Sequence, residues 1–346
     1  MPIAYDKEDE AEWLELKDLI MSRFRMKDLG ECRLILGMRV TRNYKQGTLV
    51  VDNEIHIRRM LAEFGMGVCT PAPTPESLEK LLPTTEEERG KVDITLFQKL
   101  AGSLNYLAQA SRPDISHAVN VVCRFASDPS LSHFKSVKRI FRYLAGTASL
   151  GLTYSGGDTR TSTNGTPRPS DPVFDIITYT DADWGGDLAD RKSTTGYAVR
   201  INSCTVAWRT CKQRTVALST AEAEYMAISG VLQEIIRIRS ILTEILGANS
   251  ISPRSIILCD NQAATSISKD DKHHQRTKHI DIKHHFIRQH VKNGDIAIKW
   301  TPTSKQTADI LTKGLPEIKF KLFRHSLMNS RFKYQDHDDA SGGVLK

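Results

Sequence analysis

The stretch TYTDADWGGDLADRKSTTGY (178–197) follows an apolar run and contains four aspartates, Asp181, Asp183, Asp187 and Asp190. The apolar run predicts a buried strand that ends at Asp181. The glycine pair inside the stretch predicts a turn, after which a second strand begins. A carboxylate in a buried position is costly unless it is paired, hydrogen-bonded or bound to a metal. We therefore expect Asp181 to be functional, Asp183 to be the reserve candidate on the same face, and the other two to lie in a solvated turn.

The composition is that of a globular protein with an excess of basic residues. With 346 residues the chain is long enough for two domains, and its formal charge of +7 favours a polyanionic partner such as nucleic acid. The six cysteines form no C-x-x-C pair, which predicts reduced thiols in a cytoplasmic or nuclear protein. No apolar run reaches the roughly 18 residues of a membrane span, and the N-terminus is acidic, so we expect neither membrane insertion nor secretion.

A stretch rich in Ser, Thr, Gly and Pro, SGGDTRTSTNGTPRPSDP (155–172), divides the chain in two. This composition is typical of a linker, and we place the domain boundary there. Residues 1–154 are predicted to form a mainly helical α+β region, and residues 173–328 an α/β domain. Residues 329–346 are predicted to be a disordered tail.

Periodicity assigns the elements of both regions. In the first region we predict helices at 12–25, 54–65, 95–110, 112–127 and 131–145 and strands at 33–41 and 48–52. In the second we predict strands at 175–181, 195–201, 204–209, 255–260 and 295–301 and helices at 219–246, 262–268, 278–292 and 304–312. A three-strand meander followed by strands that alternate with helices predicts a mixed five-stranded sheet covered by helices.

Carboxylates stand at the ends of apolar runs or at helix starts in the second region. Asp181 and Asp260 each end a predicted strand, a glutamate lies in the first turns of the long helix, and Asp309 lies in the last helix. Hydrolysis of a phosphodiester with two divalent ions needs several carboxylates around ions about 4 Å apart, and Mg²⁺ prefers such oxygen ligands. Each acid also has a simpler interpretation, because Asp260 can cap the next helix and Asp309 can be solvated. Four such positions in this order favour a metal centre.

The long helix offers two glutamates, Glu222 and Glu224. The spacing Ser219-x-x-Glu222 fits a capping box, which would give Glu222 a structural role at the helix N-terminus. Two residues correspond to about 200° around a helix, so the two glutamates do not share a face.

Long motifs carry a resemblance to copia-type LTR retrotransposon Pol polyproteins. The second region resembles their RNase H domain through YTDADWGGD (179–187), DRKSTTGY (190–197), VALSTAEAEYMA (216–227), LCDNQAA (258–264), RTKHIDIKHHFIR (276–288) and ADILTKGL (308–315). The first region is similar to the C-terminal part of the reverse transcriptase through MKDLGECRLILGMRV (26–40), FQKLAGSLNYLAQASRPDISHAVN (97–120) and HFKSVKRIFRYLAGT (133–147). The resemblance implies an RNase H-like sheet over 173–328, preceded by the end of a palm and a thumb- or connection-like region over 1–154.

The same resemblance implies an enzyme that cuts the RNA strand of RNA–DNA hybrids with two Mg²⁺ or Mn²⁺ ions. Carried over residue by residue, the catalytic and metal-binding acids would be Asp181, Glu224, Asp260 and Asp309. The family pattern matches EYMA (224–227), and it therefore favours Glu224 over Glu222. Selection of RNA would depend on contacts with 2′-hydroxyl groups, which DNA lacks.

The sequence also departs from the fuller pattern of the family. The Tyr-x-Asp-Asp polymerase motif does not occur, so we expect no DNA polymerisation by this chain alone. The polymerase portion of a polyprotein is then a candidate partner, and the resemblance implies a cytoplasmic virus-like particle or the nucleus as the location. The mobile histidine of many RNases H is absent from TPTSKQ (301–306), as it often is in copia-type enzymes.

Two basic groups are candidates for contacts with nucleic acid phosphates. The first follows helical spacing with no acid among its members and consists of Lys135, Lys138, Arg139 and Arg142. The second, Arg276 and Lys278, lies in the histidine-rich segment KHHQRTKHIDIKHHFIRQH (272–290). The alternative for both is a solvated helix face. A zinc site in the histidine-rich segment is the weakest alternative, because the spacing fits no C₂H₂ or H-E-x-x-H pattern.

Two functions of different classes are compatible with the sequence. One is an RNase H enzyme, and the other is a non-catalytic nucleic-acid-binding remnant of a retroelement. The presence of acids at all four expected positions favours the enzyme.

Overall fold

The computed structural model of the chain describes residues 7–155, 174–267 and 278–329. The helices in these ranges are α1 (Lys7–Arg23), α2 (Glu54–Glu63), α3 (Ile94–Ala110), α4 (Ser116–Cys123), α5 (Leu131–Gly146), α6 (Thr220–Leu246), α7 (Gln262–Ile267), α8 (Lys278–Lys292) and α9 (Glu317–Met328). The strands are β1 (Leu34–Ile35), β2 (Met38–Asn43), β3 (Thr48–Asp52), β4 (Leu152–Ser155), β5 (Ile176–Asp183), β6 (Thr194–Ile201), β7 (Cys204–Lys212), β8 (Ser255–Cys259) and β9 (Ile296–Trp300). None of the described helices is both long and apolar enough to cross a membrane.

A five-stranded mixed sheet of order β7-β6-β5-β8-β9 forms the centre of the second region. β5, β6 and β7 are an antiparallel meander, whereas β5, β8 and β9 run parallel. α6 packs against the sheet with a buried apolar stripe of Ile228, Val231, Leu232 and Ile235. This strand order and mixture of directions is that of an RNase H-like fold, and the predicted mixed five-stranded α/β sheet is confirmed.

The parallel pairing of β5 with β8 determines where two of the predicted acids lie. Tyr179 of β5 pairs with Leu258 of β8. Asp181 and Asp260 each stand two residues beyond this pair, so they lie side by side at the carboxyl ends of the two strands. The carboxyl ends of parallel strands are the edge at which open α/β sheets bind ligands.

The turn that carries Asp309 also reaches this edge, but it is not the α-helix predicted at 304–312. It consists of two 3₁₀-helical segments, Thr303–Lys305 and Thr307–Leu311. Gln306, between them, donates from its side-chain amide to a carbonyl oxygen of β5 at 2.9 Å and is itself fully buried. A buried side chain that bonds to the sheet fixes the turn here, and a continuous α-helix does not form.

Gly196 allows the Asp309 turn to approach the sheet. It lies opposite Asp181 in the β5–β6 ladder. A Cβ atom at Gly196 would lie only 2.6 Å from Thr312 Cγ2 and 2.8 Å from Leu311 Cβ. Glycine is therefore required at this position for close packing of the turn on β6.

The first region combines α2–α5 with an antiparallel sheet of order β1-β2-β3-β4. β4 pairs with β3, and the sequence analysis did not predict it because four residues carry too little periodicity. The predicted helix at 112–127 is a 3₁₀ turn, Pro113–Ile115, followed by the shorter α4. The predicted linker and tail lie outside the described residues, except for Ser155, which ends β4, and Asn329.

One apolar core contains side chains of both regions. Its members from the first region include Phe97 of α3 and Phe141 of α5, and its members from the end of the second region include Phe320 and Leu327 of α9. The rings of Tyr143 and Phe320 meet edge to face, with centroids 5.6 Å apart. Helix α9, which the sequence analysis missed, therefore returns from the sheet to the first region. The domain boundary at 155–172 stays a prediction.

A buried ion pair lies beside this core. Arg112 and Asp114 are 0% and 1% exposed, and the guanidinium donates two hydrogen bonds to the carboxylate at 2.9 and 2.8 Å. The Tyr143 hydroxyl donates to Asp114 Oδ2 at 2.6 Å, and Arg324 of α9 donates to the Tyr143 hydroxyl at 3.2 Å. Every charge in this network has a partner, which is the condition for burying charge.

Replacement of Arg112 by leucine is predicted to destabilise the protein strongly, because it leaves the Asp114 carboxylate buried and unpaired. The expected loss is about 3–5 kcal/mol of unfolding free energy, measured by urea denaturation. The matched control is Arg89→Leu, which removes the exposed pairs with Glu86 and Asp128 and should change stability little. Equal effects of the two substitutions would contradict the assigned role of the buried pair.

Candidate metal centre

The four acids predicted from the sequence converge at one edge of the five-stranded sheet. Carboxylate oxygens of Asp181, Asp260 and Asp309 all lie within 4.8 Å of one another. Glu224, Cys259 and Asp260 also offer atoms within 4.8 Å of one another, so Asp260 belongs to both groups. Carboxylates at these separations can share two divalent ions.

Each acid is held by a different element. Asp181 lies in β5 and Asp309 in the second 3₁₀ segment, with exposures of 2% and 0%. Asp260 follows β8, and the Thr303 hydroxyl donates to its Oδ2 at 2.8 Å. Glu224 lies in the second turn of α6, and its carboxylate accepts a hydrogen bond at 3.2 Å from the backbone N–H of Ala182. The sheet, the helix and the turn thus fix the four carboxylates relative to one another.

The structure separates the two glutamates of α6. Ser219 caps the helix by accepting from the Glu222 N–H at 3.2 Å, and the Glu222 carboxylate accepts from the Leu218 N–H at 2.9 Å. The bond from the Glu222 N–H to the Ser219 hydroxyl is therefore the one that a capping box predicts. The return bond differs, because the Glu222 carboxylate accepts from the N–H of Leu218 and not from that of Ser219. Glu222 has this structural role, and Glu224 is the glutamate beside Asp260.

Two lysines and a hydroxyl group partly offset the charge of the acids. Lys313 Nζ lies 3.0 Å from Asp309 Oδ1 and 3.4 Å from Asp181 Oδ2. Lys319 Nζ lies 2.6 Å from Asp309 Oδ2, and the Thr312 hydroxyl donates to Asp181 Oδ2. Sequence reasoning missed all three residues. Lys313 stands four residues after Asp309, an acid–base spacing that could have indicated the pair, whereas Lys319 lies in the helix that was not predicted.

Proton affinities in the cluster reflect burial and crowding of like charges. Burial raises the pKa of the Glu224 carboxyl well above its ordinary 4.5, and the charges of Asp181 and Asp260 raise it further. Burial and the charge of Asp181 likewise raise the pKa of Asp309 above 3.8, although Lys313 and Lys319 act in the opposite direction. A bound cation would relieve this repulsion and release the protons.

The chemistry of the donor set fits Mg²⁺ or Mn²⁺. Asp181, Glu224, Asp260 and Asp309 offer the hard carboxylate oxygens that Mg²⁺ prefers. The Cys259 thiol lies 3.7 Å from Glu224 Oε2, but burial and the charge of Glu224 raise its pKa far above the ordinary 9.0. Burial therefore favours the neutral thiol, and the carboxylate oxygens are the ionised donors that this edge offers.

The remaining aspartates of the opening stretch are paired side chains. Asp187 is only 10% exposed in its side chain and pairs with Arg124, the residue after α4, at 3.0 Å and with Lys212 at 2.6 Å. Asp190 pairs with Lys212 at 2.9 Å. The expectation of a solvated turn is therefore wrong for Asp187, because a cation from the first region reaches it. Asp183, the reserve candidate, lies 3.8 Å from the Lys80 ammonium.

The basic candidates divide into exposed and engaged side chains. Lys135 and Lys138 of α5 are exposed. Arg139 donates to the Thr74 hydroxyl at 2.9 Å and Arg142 to the carbonyl oxygen of Thr70 at 2.7 Å, so both arginines fasten the loop before α3 to α5. Arg276 lies outside the described residues. Lys278 begins α8, and its side chain lies outside the described part of the chain.

The sheet order and the acid cluster at its edge define an RNase H-like domain. No protein-family model matches the chain. Its sequence is 37% identical over 313 residues to the retrovirus-related Pol polyprotein from transposon TNT 1-94 of Nicotiana tabacum, a match that covers 89% of this chain and 22% of the relative. It is 35% identical over 306 residues to the polyprotein from transposon RE1 of Arabidopsis thaliana, covering 88% and 20%. The chain belongs to the retrovirus-related Pol polyproteins of copia-type transposons and spans about a fifth of their length.

Solved structures of RNase H proteins are also found. An N-terminal RNase H domain from Mycobacterium tuberculosis covers 44% of this chain and 98% of its own at 14% identity, with a TM-score of 0.28. LC11-RNase H1 in complex with an RNA/DNA hybrid covers 40% and 93% at 18% identity, with a TM-score of 0.29. At these scores the fold assignment rests on the strand order of the chain itself.

The raised pKa of Glu224 predicts a pH dependence of the metal-free protein. The folded state holds a proton on Glu224 that the unfolded state loses near pH 4.5, so folding stability falls as the pH rises from there through the raised pKa. Thermal unfolding in EDTA should show this decline as the pH rises above about 4.5. Glu224→Gln should make the decline shallower, with the contribution of Asp309 remaining, whereas Glu222→Gln should leave the decline unchanged. A decline of equal slope in the Glu224→Gln variant would rule out Glu224 as its source.

Proposed function

We propose that this chain hydrolyses the RNA strand of RNA–DNA hybrids with two divalent metal ions. The observation that carries the proposal is the convergence of acids from four elements on one edge of an RNase H-like sheet. The geometry suits two-metal phosphodiester hydrolysis, because Asp260 lies within 4.8 Å of Asp181 and Asp309 and also of Glu224, and could therefore bind both ions. Membership in the retrotransposon Pol family supports the substrate class.

The proposed ligands of the ions are Asp181, Glu224, Asp260 and Asp309. When bound, such ions polarise the scissile phosphate, activate a water molecule and stabilise the leaving oxygen. Burial favours the protonated form of Glu224, and a bound ion would favour the ionised form that can act as a ligand. Asp260 is held in place by the Thr303 hydroxyl and by the Trp300 indole N–H, which donates to the Asp260 carbonyl oxygen at 3.1 Å.

The substrate and partners follow from charge and family. The net charge of +7 favours a polyanion, and the exposed Lys135 and Lys138 offer contacts with phosphates on α5. Preference for the RNA strand would come from its 2′-hydroxyl groups. Because the relatives are polyproteins of much greater length, a polymerase portion of such a protein is the proposed protein partner, in a cytoplasmic particle or the nucleus.

Replacement of Asp260 by asparagine is predicted to abolish hydrolysis. Removal of a ligand shared by both acid groups should lower the cleavage rate of a labelled RNA–DNA hybrid in Mg²⁺ by about a thousandfold, since metal stabilisation is worth several kcal/mol. Asp190→Asn, in the opening stretch but outside the cluster, is the control and should retain activity.

Hybrid affinity should be measured for the same two variants. The enzyme hypothesis would be rejected by two results together. The folded, unsubstituted chain would leave the hybrid uncleaved, and its salt-sensitive binding of the hybrid would be unchanged by Asp260→Asn. These results would leave the non-catalytic nucleic-acid-binding remnant as the function.

The two exposed lysines of α5 are predicted to bind phosphates. Their joint replacement by alanine should weaken hybrid binding and lower the slope of log affinity against log salt by about two, roughly one for each phosphate that is no longer neutralised. The control pair is Lys45→Ala and Lys91→Ala, two exposed lysines outside both α5 and α8. A salt slope that is unchanged in the α5 variant would exclude α5 from the interface.

A further inference from the structure

Two ammonium groups lie on one side of the carboxylate cluster. Asp309 accepts ion pairs from Lys313 at 3.0 Å and from Lys319 at 2.6 Å, and Lys313 also lies 3.4 Å from Asp181. Asp309 is fully buried, while the two lysine side chains are 36% and 33% exposed. The Asp309 carboxylate is therefore shielded from bulk water and depends on these cations for its counter-charge.

The other two acids of the cluster, Glu224 and Asp260, have different partners. Among the ion pairs of the described residues, none involves Glu224 or Asp260. Glu224 is met by a backbone N–H and Asp260 by the Thr303 hydroxyl, which are neutral donors. Neutral donors do not oppose the approach of a divalent cation as an ammonium group does. The cluster thus has one half with built-in cations and one half without them.

Helix α9 fixes the position of Lys319. The residue next to it, Phe320, packs on Tyr143 of the first region with ring centroids 5.6 Å apart, and Phe323 and Leu327 are buried in the shared core. The Lys319 ammonium itself lies 5.1 Å from the centroid of the Phe323 ring. An ammonium group on an anchored helix is held at the carboxylate at little entropic cost, unlike a lysine on a mobile surface.

We propose that Lys313 and Lys319 are internal counter-cations of the Asp181–Asp309 half of the metal centre. A divalent ion binds in that half only by displacing their ammonium groups, and it binds there more weakly than in the Glu224–Asp260 half. This inference rests on the proposed metal centre, and it adds an order of occupancy: the Glu224–Asp260 half fills first. The same cations stabilise the fold when no metal is bound, because they offset repulsion among the buried carboxylates.

The test replaces Lys319 in the full chain. Lys319→Met keeps the apolar stem and removes the charge, Lys319→Arg keeps the charge, and Lys321→Met is the control on the same helix, where Lys321 pairs with Glu317. Free Mn²⁺ is followed by electron paramagnetic resonance during titration, and thermal unfolding is recorded in EDTA. The Asp181–Asp309 half should give the weaker of two classes of Mn²⁺ sites. In Lys319→Met this class should become detectable, or its affinity for Mn²⁺ should rise by about three- to tenfold. The melting temperature of Lys319→Met in EDTA should fall, while the other two variants should behave like the unsubstituted chain.

The inference would be overturned if Lys319→Met showed no second class of Mn²⁺ sites, or if that class bound Mn²⁺ no more tightly than in the unsubstituted chain. A tightening of equal size in Lys321→Met would also overturn it. Failure of hybrid cleavage alongside the expected Mn²⁺ pattern would count against the proposed function alone. The two ideas can therefore fail separately.

Discussion

The concentration of negative charge at one edge of the five-stranded sheet is the constraint on which the rest of the structure depends. Asp181, Glu224 and Asp309 are each at most 5% exposed, and buried carboxylates persist only where partners offset their charge. A backbone N–H and two hydroxyl groups supply part of the compensation, and Lys313 and Lys319 supply the rest. In the metal-free protein the balance is incomplete, as the raised pKa of Glu224 indicates. Divalent cations would offset the remaining negative charge of such a site.

That compensation ties the first region of the chain to the sheet. Helix α9 brings Lys319 to Asp309 and buries its apolar face in a core that also contains α3 and α5. Arg124, the residue after α4, pairs with Asp187, and Lys80 donates to the carbonyl oxygen of Gly186, so the turn after β5 is also held from the first region. The helical region therefore contributes side chains that support the carboxylate cluster.

Much of the fold of the second region could be predicted because its signals are local. Apolar runs that end in acids gave β5 and β8 within a residue or two, and the parallel pairing that follows places Asp181 beside Asp260. What was missed depends on distant contacts. Helix α9 does carry an amphipathic spacing, with Phe320, Phe323 and Leu327 on one face, but the core that this face joins is built by another region. The pairing of Asp187 requires Arg124, 63 residues away in sequence. The α-helix predicted around Asp309 failed because one buried side chain, Gln306, bonds to the sheet.

The central claim is that the four acids jointly hold two metal ions, and anomalous diffraction tests it most directly. Crystals of the full chain soaked in Mn²⁺ at saturating concentration would be measured near the manganese absorption edge. We predict two anomalous peaks about 4 Å apart, in contact with carboxylate oxygens of Asp181 and Asp260. An anomalous map with no peak among the four carboxylates would contradict the account.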